Sequence, residues 1–142
     1  MRKSAAAAIV LALWASTALS ADETSFEARL STVPIDPATA ATVTGLGEAR
    51  ATLDGSTLVV SGTFNGLQGP ATAARLHLGT HTGVRGDAFA DLVVTDSTTG
   101  SISGSVELSP EQLDALRSGR VYIQLYSEAA PDGNLWGWLL GD

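Results

Sequence analysis

Beyond its first twenty residues the chain almost never repeats apolar residues at helical spacing. It alternates apolar and polar residues in short runs, and glycine, proline, aspartate or asparagine ends each run. A period of two suits only a strand with one face buried, so the pattern restricts the chain to all-β folds. Strands are predicted at Phe26–Ser31, Leu46–Leu53, Ser56–Asn65, Ala73–Leu78, Ala88–Val94, Ser101–Leu108, Arg120–Ser127 and Asn134–Leu140. Ser31–Thr44, rich in Pro, Thr and Ala, reads as a loop, as does Gly79–Gly86. Asp54-Gly55 between two alternating runs predicts a tight hairpin.

One helix interrupts the strands. Ser109 can cap it, Pro110 suits its first position, and Gln112 can complete a capping box. The helix is expected to end near Ser118, before Gly119. Strand spacing and turn chemistry predict an antiparallel β-sandwich or barrel. The chain has no cysteine, which rules out disulfides, thiolate metal sites and a cysteine nucleophile. A core must therefore come from burial alone, and about 120 residues suffice for that.

The N-terminus has another character. Arg2 and Lys3 precede an apolar run from Ala5 to Leu13, and small residues follow. This predicts a secretory signal peptide over residues 1–20. Cleavage is expected after Ser20, with Ala18 and Ser20 as the small residues, or else after Ala21. One domain, 21–142, then remains, secreted to the periplasm or the outside, with no membrane span after processing. The charge of −7 becomes −9, because 15 acidic residues now face 6 arginines and no lysine. Such a chain repels phosphate backbones and anionic lipid, so neither nucleic acid nor a membrane surface is an expected partner.

Four stretches in order resemble the CHRD domain, named after chordin. Gly66-Leu67-Gln68-Gly69-Pro70-Ala71-Thr72-Ala73-Ala74 resembles the loop before the family's A-H-I-H strand. Leu108-Ser109-Pro110-Glu111-Gln112-Leu113 resembles its L-T-P-A-Q-L helix start. Gly119-Arg120-Val121-Tyr122-Ile123 resembles its G-x-L-Y-V strand, and Ala129 to Gly137 its A-N-P-x-G-E-I-R-G ending. The resemblance spans roughly Phe26 to Leu140. It implies an immunoglobulin-like sandwich, distantly similar to copper-zinc superoxide dismutase, with one short helix near 110–118. It leaves biochemical activity open.

The resemblance also draws attention to one face. Family members carry histidines at three positions that match Arg75, His77 and Tyr126 here. Three such histidines would make a copper or zinc site. With two replaced, and a guanidinium at one of them, a histidine-based copper centre is not expected. His77 and His81 remain as weak metal candidates, and a degenerate copper- or zinc-binding redox protein is the alternative reading. Alternation turns Val121, Ile123 and Leu125 inward, and Tyr122, Gln124 and Tyr126 outward. It likewise turns Trp136 and Trp138 outward. If these strands pair, four aromatic rings share a face with Arg75, His77 and Gln124. Aromatic residues at i and i+2 form a platform for sugars or protein partners, unless a neighbouring loop covers them. The expectation is a non-enzymatic binding domain, without cofactor, whose protein or glycan partner uses this outward face. Arg85-Gly86-Asp87 spells an adhesion tripeptide, but three residues recur easily by chance.

Overall fold

The computed structural model describes residues 23–141. The predicted signal peptide and both candidate cleavage sites lie outside them. Nine strands and one helix follow in the order β1 (Glu23–Thr32), β2 (Leu46–Asp54), β3 (Thr57–Asn65), β4 (Ala71–Gly79), β5 (Gly86–Val94), β6 (Gly100–Glu107), α1 (Pro110–Arg117), β7 (Val121–Ser127), β8 (Leu135–Trp138) and β9 (Leu140–Gly141). Each predicted strand is present, and the stretch predicted for the last of them is divided into β8 and β9.

Inward positions follow the alternation. On β3, Leu58, Val60 and Phe64 are buried while Val59, Ser61 and Thr63 are exposed. On β7, Val121, Ile123 and Leu125 are fully buried. The helix begins as its sequence dictates: Ser109 Oγ accepts from the Gln112 amide at 3.2 Å, and Gln112 Oε1 accepts from the Ser109 amide at 2.9 Å. Its Ala115 and Leu116 are buried in the core.

The sandwich expectation is corrected. All pairings are antiparallel, and the sheet closes on itself in the order β1, β2, β3, β6, β5, β4, β7, β8 and back to β1, with β9 also on β1. The fold is an eight-stranded closed barrel with one short helix. Two narrow seams convert sandwich to barrel. Val93 and Val94 of β5 pair with Ser103 and Ile102 of β6. At the other seam β1 leaves β2 after Leu30, and its Ser31 and Thr32 pair with Trp136 and Leu135 of β8. The second seam depends on Gly137. A Cβ there would lie 2.6 Å from the Arg29 carbonyl oxygen and 2.7 Å from a Leu30 methyl, so only glycine lets β8 approach β1. Closure also holds β4, β7 and β8 side by side, and their outer surface carries the candidate residues.

Candidate functional site: an aromatic face on β4, β7 and β8

Register brings the predicted residues together. His77 on β4 lies opposite Tyr122 on β7, and Arg75 opposite Gln124. Tyr122 in turn lies opposite Trp138 on β8, and Gln124 opposite Trp136. Because side chains two apart share a face, all seven residues stand on the outside of the same three strands, with Tyr126 at one end.

The rings interlock. His77 stacks on Tyr122 with centroids 4.8 Å apart. Tyr122 meets Trp138 at 4.3 Å and the edge of Trp136 at 5.8 Å. The two indoles lie 5.9 Å apart at an interplanar angle of 65°. The expected flat platform is therefore a corner, with one indole turned against the other.

The face is also less open than alternation alone implies. Tyr122 is 1% exposed, Gln124 4% and His77 7%, although all three point away from the barrel interior. Trp136, Trp138, Tyr126 and Arg75 stay half-buried. Both neighbouring loops contribute cover. The loop after β1 sends Val33 and Val43, which form a small apolar cluster with Ala130, against Trp136. The β4–β5 loop brings in Arg85, whose guanidinium carbon sits 5.5 Å from the Trp136 centroid. The sandwich-type picture of exposed outer residues fails here because these loops form a partial second layer.

Gly86, where β5 begins, organises the polar side of the cluster. Its carbonyl accepts from the Tyr122 hydroxyl at 3.0 Å and lies 2.9 Å from His77 Nδ1. Its amide lies 3.0 Å from the same Tyr122 oxygen. His77 Nε2 lies 2.7 Å from the Tyr126 hydroxyl. A carbonyl can only accept, so Nδ1 carries the proton, and Nε2 accepts from Tyr126. Burial holds the His77 imidazole below its ordinary pKa; the Gly86 carbonyl opposes this, and nearby Arg75 adds to it. Burial raises the Tyr122 phenol, so the cluster core is neutral near pH 7. Arg75 lies 5.0 Å over the Tyr126 ring and donates to Asp91 at 3.1 Å.

Of the metal candidates, His77 has both nitrogens committed to these hydrogen bonds. His81 sits on the exposed β4–β5 loop. Among the described residues no group of three or more His, Asp or Glu side chains is placed to hold a metal ion. The copper or zinc alternative thus lacks a ligand set there.

Sequence reasoning missed Arg85 and Gly86 as parts of the face. Their signal was position: they close the loop between β4 and β5, and register carries that loop back over Tyr122. The adhesion tripeptide that contains them serves the cluster through the Gly86 backbone and the Arg85 side chain. Gly86 is required because a Cβ would collide with the Leu78 carbonyl oxygen. No described helix is long and apolar enough to cross a membrane.

Comparison with curated proteins and with solved structures finds no match. The CHRD domain family matches residues 16–139. That match covers most of the chain and contains every residue of the aromatic face, so the chain belongs to the CHRD domain family.

Proposed function

We propose that this CHRD domain is a secreted, non-enzymatic binding domain, and that a protein or glycan partner docks on the outer face of β4, β7 and β8. One observation supports this most. Two half-exposed tryptophans, Trp136 and Trp138, are braced against a buried tyrosine by cross-strand pairing. Rigid aromatic anchors that keep part of their surface accessible supply much of the binding energy at interfaces. The reading assigns no reaction to the face, since its one histidine has both nitrogens engaged. Export accords with the N-terminal sequence, in which Arg2 and Lys3 precede an apolar run.

The test is tryptophan fluorescence of the protein titrated with a panel of glycans and peptides, repeated on a Trp136→Ala/Trp138→Ala double variant by a label-free method. Binding that disappears in a double variant retaining its cooperative melt supports the reading. Binding unchanged in that variant overturns it.

A further inference from the structure

Arg85 lies against an indole ring of the face and not against a carboxylate. Asp and Glu number 15, against 8 Lys and Arg, so carboxylates are abundant. Of the six arginines among the described residues, Arg50, Arg75 and Arg120 each pair with a carboxylate, namely Glu27, Asp91 and Asp114, whereas Arg29, Arg85 and Arg117 do not. Arg85 has no carboxylate within 4 Å among the described residues, and sits instead 5.5 Å from the Trp136 ring. The ring face of Trp136 is thus a slot that a guanidinium occupies in a carboxylate-rich chain.

A second observation is independent of that stacking. Gln124 is 4% exposed and lies opposite Trp136 in the β7–β8 register. Its Oε1 accepts no hydrogen bond, and it is the one buried side-chain nitrogen or oxygen without a partner among the described residues. The unmet need is for a donor, and Arg85 in its present place on Trp136 does not supply one. A guanidinium offers five donors and no acceptor, whereas a carboxylate offers only acceptors.

We propose that the partner of this face is a basic protein segment presenting arginine, and that Arg85 fills the Trp136 slot in its absence. The proposal rests on the binding reading above and specifies its partner. Charge agrees with it: a net charge of −7 steers a basic segment toward the domain and an acidic glycan away. The β4–β5 loop suits the exchange. Thr82 Oγ1 donates to the Gly119 carbonyl at 2.6 Å, and Gly86 is held by Tyr122. Between these anchors Gly83, Val84 and Arg85 are exposed, so the Arg85 side chain can leave Trp136 while β4 and β5 stay paired.

The test uses a capped arginine-rich peptide, its lysine counterpart, and polygalacturonate as an acidic glycan. Binding is measured by calorimetry at physiological salt. The arginine peptide is expected to bind wild type more tightly than the lysine peptide does. An exposed cation–π contact implies that Arg85→Ala, by emptying the slot, tightens arginine-peptide binding about three- to sixfold. Trp136→Ala is expected to abolish the preference for arginine over lysine. A single cooperative melt of Arg85→Ala, lowered by no more than the few degrees that loss of the ring contact implies, shows that the fold is intact. Arginine-peptide binding unchanged or weakened in Arg85→Ala overturns the proposal, as does binding that Trp136→Ala leaves intact, or none to either protein. If polygalacturonate binds in a Trp136-dependent way and the arginine peptide does not, the basic partner is overturned while the aromatic binding face stands.

Discussion

His77 and Tyr126 share a hydrogen bond of 2.7 Å, with the phenol as donor and Nε2 as acceptor. The Gly86 carbonyl enforces that direction by claiming the proton on Nδ1. Protonating the ring would add a second N–H where Tyr126 now donates, in a site that burial already makes unfavourable for charge. The folded-state pKa of His77 therefore lies below its ordinary value. Between that lowered value and about 6.5 the unfolded chain binds more protons at this position than the folded chain does. The stability contributed by neutral His77 is present above about 6.5 and is lost as pH falls through that window. Urea unfolding at pH 7.5 and at pH 5.5 is expected to show lower stability at the acid end, and His77→Phe to reduce the difference. Nitrogen chemical shifts of the ring are expected to report the Nδ1–H tautomer at pH 7.5. A stability that rises on acidification, or an Nε2–H tautomer, contradicts the assignment.

Tyr122 joins the barrel wall to the covering loop, so its two parts have separable effects. Tyr122→Phe keeps the ring contacts with His77 and Trp138 and removes the hydroxyl that holds Gly86. The expected loss is about 1–3 kcal/mol, because the change leaves backbone groups of Gly86 with fewer partners. Tyr122→Ala removes the whole buried ring and is expected to cost about 3–5 kcal/mol. Hydrogen exchange distinguishes them further: Phe at 122 is expected to speed exchange at Gly86 while β7 core amides stay protected.

Much of this architecture is legible in the sequence, for a local reason. Alternation at Leu58, Val60 and Phe64 announces an inward face, and Ser109, Pro110 and Gln112 announce a helix start, because each signal lies within a few residues. The outward placement of Tyr122, Trp136 and Trp138 is equally local, and pairing of β7 with β8 then joins them. Closure is not local. It turns on two residue pairs at each seam, Val93 and Val94 on β6, and Ser31 and Thr32 on β8. No periodicity separates a sheet that ends there from one that continues. Burial of the outer face is nonlocal too, since Val33 and Val43 reach Trp136 from a loop with no alternating pattern. Arg85 escaped notice because a guanidinium in an exposed loop has no sequence signature of the ring it will cover.

Gly137 tests the closure directly. Alanine there would set a methyl against the Arg29 carbonyl and the Leu30 side chain, forcing β8 away from β1. Overpacking of this kind costs about 1–3 kcal/mol, and contact with backbone places Gly137→Ala toward the upper end. Trp136 and Trp138 flank the position, so their fluorescence is expected to change in the folded variant. A variant as stable as wild type, with unchanged emission, would show that the β8–β1 seam does not constrain the barrel.

Export is checked by mass. Expressed with its own N-terminus in a bacterium with a general secretion pathway, the protein is expected in the periplasm or medium. Its N-terminus is expected at Ala21, or at Asp22 if cleavage follows Ala21. A cell-associated product that retains Met1 contradicts both sites.

Gln124 separates stability from binding. Its Nε2 makes one long hydrogen bond, 3.4 Å to the Asp132 carbonyl, and its Oε1 makes none. A buried acceptor without a donor costs about 1–3 kcal/mol, whereas an apolar side chain of similar length carries no such cost. Gln124→Met, which gives up only the long bond, is expected to raise unfolding free energy by about 1 kcal/mol in urea. Natural chains keep a destabilising polar group where function uses it. The same variant is therefore expected to bind the arginine peptide more weakly than wild type while melting at a higher temperature. Higher stability with unchanged binding would leave Gln124 outside the recognition surface, and lower stability would mean that its amide is satisfied in solution.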